Sequence, residues 1–354
     1  MLEVAIIGAG FIGGVHARLI DSIDGARVSA VIDNRADRAE VLAAPRAAHT
    51  ASSLDELADA GRLPDIVSIC TVSAGHADLA IRALELGCHV LVEKPVDISI
   101  DAADRLADVA AAGDRVISVV SQRRFLTTSV ALREAVDAGR LGRLTGGTVE
   151  SPFFRAQSYY DSGDWRGTVE HDGGGALMNQ GVHALDLLLW FLGHPRSIAA
   201  ITACVAHERI EVEDVAGAVL GFESGAVGTV FASTAAYPEG SVRLSVFGTE
   251  GSATIAAGRL VMRYNDADEV IEDTAPEGWT TVDWAHRAQY LDVLDAITAR
   301  RPPAIGVADG RLALASVVGV YESARVGRTV PVPRSRHDHS LQTDPAVDTT
   351  NQWR

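Results

Sequence analysis

One hexapeptide constrains this chain more than any other feature. Gly8-Ala9-Gly10-Phe11-Ile12-Gly13 follows the apolar run Leu2–Ile7 and opens the helical pattern Ile12–Ile20. In a strand–turn–helix setting each glycine has its own reason. Gly8 permits the tight turn, Gly10 lets a pyrophosphate approach the backbone, and Gly13 lets helix and strand pack closely. Unpaired N–H groups at the helix start, beside Phe11 and Ile12, then face the phosphates. Asp33 ends the next apolar run, twenty residues beyond Gly13, where a carboxylate holds ribose hydroxyls. A carboxylate there accepts from the 2′-hydroxyl of NAD and repels the 2′-phosphate of NADP. NAD is therefore the expected cofactor; Asn34, Arg35 and Arg38 adjoin the site, and the arginines leave NADP open.

The pattern beyond the turn extends this reading. Strand-like runs at Arg27–Ile32, Ile66–Cys70, His89–Val92 and Val116–Val120 alternate with helical patterns at Arg35–Ala44, Ala74–Leu86 and Ala102–Ala112. Such alternation predicts a doubly wound parallel sheet, an α/β Rossmann domain over residues 1–122. The pattern then changes. A helix is expected at Phe125–Ala138, a polar aromatic-rich stretch from Phe153 to Gly175, and a helix at Ala176–Leu192. Closely spaced β-like runs fill Ser197 to Tyr264, with helices at Ala285–Thr298 and Asp309–Val326. Residues 123–333 thus read as an α+β domain with an open, mostly antiparallel sheet. Residues 334–354 read as a polar C-terminal tail.

Charge and cysteine usage narrow the function. The chain carries 31 basic and 47 acidic residues, a net charge of −16, against a general nucleic-acid or anionic-membrane binder. The widely spaced Cys70, Cys88 and Cys204 give no disulfide framework or CxxC pair. The chain enters its first strand without a basic leader, and no apolar run is long enough to span a bilayer. A cytoplasmic protein is expected.

Of the 31 basic residues only Lys94 is lysine. Nucleotide bias accounts for the arginines but not for the place of the exception. Lys94 follows an apolar strand in Glu93-Lys94-Pro95, where a compact, titratable ammonium has a use that arginine cannot fill. Other candidates cluster at similar places. Thr71-Val72-Ser73 and His76 follow the third strand, at the edge where open α/β sheets bind ligands. Asn179, His183 and Asp186, after the triple glycine 173–175, are spaced to share one face of a helix. Oxidation of an alcohol needs a base near neutral pKa, met by His183, and a cation for the alkoxide, met by Lys94. No step requires a metal, and no compact ligand motif is seen. Arg123, Tyr160, Trp165, Arg166 and His286 are candidates to line the substrate site.

Together these segments resemble the Gfo/Idh/MocA family of nicotinamide-dependent sugar and polyol oxidoreductases, from Leu2 to about Val332. The resemblance implies a C-terminal sheet that pairs subunits into a homodimer or homotetramer, and a sugar or polyol bound between the domains. It implies that Lys94 binds the reacting hydroxyl, that His183 is the acid–base, and that Thr71, Val72, His76 and Glu93 adjoin the cofactor. This chain departs from the family pattern at Asn179, usually aspartate, and Val72, usually proline. The motif variants lean to the nucleotide-sugar 3-dehydrogenase branch, with inositol dehydrogenases second. A dinucleotide sensor without turnover is the alternative from another class.

Overall fold

The computed structural model describes residues 1–264 and 267–335; beyond Ser335 the expected tail lies outside the described residues. The chain first winds β1 (Leu2–Ile7), α1 (Phe11–Asp21), β2 (Ala26–Ile32), α2 (Ala36–Ala43), β3 (His49–Ala51) and α3 (Leu54–Asp59). It continues with β4 (Ile66–Ile69), α4 (His76–Glu85), β5 (His89–Val92), α5 (Ile100–Ala112) and β6 (Ile117–Val119). The six strands pair in parallel in the order β3-β2-β1-β4-β5-β6. Strands β1, β4 and β5 are mostly apolar and buried because helices cover both faces, as parallel sheets require. Strand order reverses between β1 and β4, which fixes the ligand crevice at their carboxyl ends.

The second half contributes α6 (Thr127–Asp137), β7 (Leu144–Pro152), and the short helices α7 (Gln157–Tyr160) and α8 (Val169–Asp172). Here the structure departs from expectation. The segment read as one helix over Ala176–Leu192 is a π-helical turn, Ala176–Gly181, followed by α9 (Val182–Leu192). The strands β8 (Pro195–Ala203), β9 (Val215–Phe222), β10 (Val227–Ser233), β11 (Arg243–Gly248), β12 (Gly251–Ala256), β13 (Arg259–Tyr264) and β14 (Ala267–Glu272) follow. Then come α10 (Thr281–Ala299), α11 (Val307–Val326) and β15 (Val330–Pro331). Nine strands form one sheet in the order β14-β13-β12-β11-β7-β10-β9-β8-β15, antiparallel except for β7 with β10. This is the expected α/β Rossmann unit followed by an open, mostly antiparallel sheet. Helices cover one face; the other leaves Ile201, Val219, Phe231 and Phe247 exposed. Among the described residues no helix is long and apolar enough to cross a membrane.

A buried ion network joins the halves. Arg124, just beyond β6, donates to Asp186 of α9 at 2.9 and 2.7 Å and to Asp309 of α11 at 2.8 Å. Ser121 Oγ donates to the same Asp186 carboxylate, and the Arg124 guanidinium lies over the Trp190 ring. Gln289 of α10 adds bonds to the Ser121 N–H and the Val119 carbonyl. Removing one partner of a buried ion pair leaves the other charge uncompensated and costs about 3–5 kcal/mol. Arg124→Leu should lower unfolding free energy by that order in denaturant titration. A loss below about 1 kcal/mol, the worth of an exposed pair, would show that this network does not anchor the seam.

Candidate active site

The glycine turn is held by main-chain contacts that exclude side chains. A Cβ on Gly13 would lie 2.0 Å from the Gly8 carbonyl oxygen, and one on Gly8, whose φ is +100°, would lie 2.6 Å from that of Cys70. Gly10 faces open space with nothing within 4 Å of its Cβ position, room a pyrophosphate can use. Asp33 accepts the Ala9 N–H at 2.7 Å through one oxygen and the Arg35 N–H at 2.8 Å through the other. It thus fastens the turn to the end of β2, and each oxygen keeps a lone pair for a ribose hydroxyl. Arg35 is paired with Asp37, while Asn34 and Arg38 are exposed beside the same strand end. Phe11 is exposed and Ile12 half-buried at the start of α1. These residues fit a bound dinucleotide.

Thr71 and Val72 are half-buried after β4. His76 spans from that loop to the next: its ring nitrogens lie 2.8 Å from the Pro95 carbonyl and 3.2 Å from that of Thr71. Its role in the structure is a brace between loops. The second loop carries Glu93 and Lys94. Glu93 Oε2 accepts the Lys94 backbone N–H at 3.0 Å, and Oε1 lies 3.1 Å from His16 Nε2.

Lys94 crosses the domain seam. Its Nζ donates to the main-chain carbonyl of Asn179 at 2.8 Å. The Asn179 amide turns away and donates to the Gly174 carbonyl, so the contact to Lys94 comes from the backbone of the π turn and not from the side chain. The turn is clamped from afar. Glu213 accepts the N–H groups of Gly175 and Leu177, each at 2.8 Å, and the Tyr321 hydroxyl at 3.0 Å. A Cβ on Gly175 would lie 1.8 Å from the Glu213 carbonyl oxygen and one on Gly174 2.2 Å from Tyr321 Oη. The close approach that the triple glycine allows is therefore to protein.

His183, the second residue of α9, lines one small cavity of about 20 Å³ with Lys94, Val119, Val182 and, from α11, Ala313 and Leu314. Burial holds its pKa well below the ordinary imidazole value, and the charges of Lys94 and Arg123 push the same way, against Glu93. Burial also lowers the Lys94 ammonium, opposed by Glu93 and Asp172. Asp172, buried just before the triple glycine, has its carboxyl raised by burial against the Gly167 N–H and the charges of Arg166 and Lys94. Sequence reasoning missed Asp172, although an acid beside the glycine run was visible.

The outer candidates divide. Arg123 is half-buried within electrostatic reach of His183, and Asp273 supports its charge. The Arg166 guanidinium lies 4.3 Å from the ring centres of both Tyr159 and Trp165. Tyr160 is buried, its hydroxyl bonded to Thr234 Oγ1 at 2.8 Å and pushed up to about 12 by burial. It forms wall, with no free hydroxyl to offer. His286 is 2% exposed and stacks on Tyr290 behind Glu93, which corrects the expectation that it lines the substrate site. Donor atoms of His16, Glu93 and His286 lie within 4.8 Å of one another, a cluster from three elements that no linear motif displays.

Comparison with known proteins agrees with this geometry. Residues 2–121 match the oxidoreductase family with an NAD-binding Rossmann fold, and residues 129–254 match the GFO/IDH/MocA C-terminal domain. The chain is 25% identical to myo-inositol 2-dehydrogenase of Thermotoga maritima, covering 93% of this chain and 98% of that protein. It is 32% identical to D-glucoside 3-dehydrogenase of Escherichia coli, but spans only 55% of that protein's length. The WlbA dehydrogenase of Bordetella pertussis, solved with NADH and UDP-GlcNAcA, superposes with a TM-score of 0.82 at 28% identity, over 94% of this chain and 99% of that one. With a glycine turn built for NAD and both halves matched in order, this chain belongs to the GFO/IDH/MocA family of NAD-binding oxidoreductases.

Proposed function

We propose that the protein transfers hydride between NAD and a secondary hydroxyl or keto carbon of a sugar-like substrate, with nucleotide sugars the leading class and inositols second. The carrying observation is that the chain's only lysine and His183 line one small cavity beside the carboxyl ends of β5 and β6, which sets ammonium and imidazole together. The cofactor supplies hydride exchange at its nicotinamide ring. Gly8, Gly10 and Gly13, the α1 N-terminus and Asp33 would hold it. In the oxidative direction an imidazole nitrogen of His183 takes the hydroxyl proton, and Lys94 stabilises the developing alkoxide. In the reverse direction His183 returns the proton. The Asn179 carbonyl orients Lys94. Arg123 and the Arg166 guanidinium between its two rings suit an acidic or phosphorylated substituent, in keeping with the UDP-sugar held by the Bordetella relative.

The direct test is NAD reduction against UDP-sugars, UDP-sugar acids, free sugars and inositols, with Lys94→Met and His183→Ala beside wild type. A general base contributes about 10²–10⁴-fold, so His183→Ala should lose that much kcat while calorimetry shows NAD binding unchanged. Wild type that binds NAD yet turns over no substrate, or a His183→Ala enzyme at full rate, would overturn the reading.

The pH profile follows from the same site. His183 must be neutral to accept a proton, and its pKa is held below the ordinary 6.5. Oxidative kcat/KM should therefore stay flat from about pH 8 down through 6.5 and fall only in more acid solution. An acid limb at the ordinary imidazole position would contradict this.

The bare face of the nine-stranded sheet supports self-association. Ile201, 78% exposed, Gly217 and Phe231 are cross-strand neighbours across β8, β9 and β10. An apolar strip of this kind marks an interaction surface. Ile201→Glu with Phe231→Glu should reduce an assembled species to monomer in light scattering; an unchanged mass would remove this face from the interface.

A further inference from the structure

Behind Lys94 lies a polar cluster that the hydride chemistry does not touch. His16 of α1 is fully buried, a polar residue on the helix face that carries Ala17, Leu19 and Ile20. Its Nε2 meets Glu93 Oε1 at 3.1 Å. Its Nδ1 lies 2.7 Å from both Ser68 Oγ and Tyr290 Oη, which are 2.8 Å from each other. Cys70 Sγ lies 3.7 Å from Ser68 Oγ. The His286 ring sits edge-on to His16 at 4.6 Å, its Nε2 without a hydrogen-bond partner among the described residues. The groups facing His16 are therefore Glu93 at the end of β5, Ser68 and Cys70 on and after β4, and Tyr290 and His286 of α10.

A buried carboxylate without a partner takes up a proton instead of staying charged. Glu93 is 6% exposed, and its partners are the His16 ring and the Lys94 main chain. The Lys94 ammonium donates to a neutral carbonyl, not to a carboxylate. We infer that His16 is a positioning residue: by its contact with Oε1 it holds Glu93 as a carboxylate, fixed through Oε2 to the Lys94 backbone, and so maintains the counter-charge that keeps Lys94 protonated. This rests on the reading of Lys94 as the cation of the site.

The electrostatics agree with the geometry. Burial works against a charged Glu93, yet the hydrogen bond and charge of His16, with the charge of Lys94, hold its carboxyl well below the usual range. Burial also opposes charge on His16; the Glu93 carboxylate, 3.1 Å from its Nε2, and the Ser68 and Tyr290 hydroxyl oxygens at its Nδ1 favour it. His286, pushed down to about 3 by burial and by His16, stays neutral and leaves the positive charge to its neighbour. Glu93 is in turn the leading group that raises Lys94 against burial. Take away His16, and Glu93 becomes easier to protonate and Lys94 easier to deprotonate.

A chain with one lysine allows a direct test. Protein labelled at lysine Cε with carbon-13 gives one lysine resonance, whose shift reads the charge of Lys94. In the full-length protein, His16→Gln keeps an N–H donor toward Glu93 but no charge, and Glu93→Gln removes the carboxylate. Both should move the Lys94 titration to lower pH by about one unit or more, and the double variant should move it no further than Glu93→Gln alone. The basic limb of kcat/KM should move with it, and in His16→Gln the dissociation constant for NAD should change less than about twofold. A merely structural role would lower Tm and leave the resonance unmoved. Folded His16→Gln and Glu93→Gln proteins whose Lys94 titrates as in wild type would overturn the inference. The catalytic reading fails separately: if Lys94→Met keeps full turnover while the resonance still responds to His16, the counter-charge stands and the catalytic assignment does not.

Discussion

The placement of the site depends on a buried guanidinium. Arg124 follows the last strand of the parallel sheet and ends between two carboxylates, Asp186 on α9 and Asp309 on α11. Burying Arg124 and Asp186 is costly, and an apolar contact of the same volume could stabilise the seam as well. What the ion network adds is direction. The planar fork meets Asp186 through two parallel bonds and fixes the rotation of α9 as well as its distance. His183 lies three residues before Asp186, so the same contact sets where the histidine points. The Lys94 bond to the Asn179 carbonyl, 2.8 Å across the same seam, is available only with that docking in place.

The sequence disclosed the parts of this arrangement that rest on local chemistry. The glycine turn is legible because Gly8 and Gly13 each meet a carbonyl oxygen that a side chain would strike. The parallel strands are legible because burial on both faces leaves continuous apolar runs. The three-residue β3 and the six-residue α3 are too short for a period to show. The π turn was hidden for a different reason. Ala-Leu-Met-Asn-Gln-Gly reads as ordinary helix, and the clamps that widen it are Glu213 and Tyr321, about forty and more than a hundred residues away. Periodicity carries no information about partners at that separation. His286 failed likewise: its place in the last third of the chain says nothing of the His16 ring beside it. Glu213 and His16 did leave faint signals, an acid in a β-rich region and a polar residue on an apolar helix face.

Lysine at position 94 in a chain that otherwise uses arginine has a physical reading. The crevice between Val119, Val182 and His183 is narrow, and its acceptor is a single carbonyl. A guanidinium brings five donors and a fixed plane; a compact ammonium needs far less space and leaves donors for a substrate oxygen. Lysine also keeps a proton affinity that its surroundings can tune. Burial lowers Lys94 and Glu93 opposes it, while burial and the charges of Lys94 and Arg123 hold His183 well below the ordinary imidazole value. On the proposed reading, this suits Lys94 to act as cation and His183, neutral, to act as base at the same pH.

This division also separates what the fold must keep from what it can vary. Lys94, Glu93 and His16 are held by strand ends, helix starts and buried bonds, while the segment between β7 and α8 touches the π turn through Arg155, which donates to Gln180 Oε1 at 3.3 Å. That segment carries Tyr159, Trp165 and Arg166, stacked largely on one another. A change at Arg166 also acts on Asp172, and through Asp172 on the charge of Lys94. Arg123 lies within electrostatic reach of His183. A negatively charged substituent placed against Arg123 would offset the cation that most directly disfavours a proton on His183 after Lys94. On the proposed reading, recognition of an acidic substituent and the proton affinity of His183 are therefore coupled through one side chain.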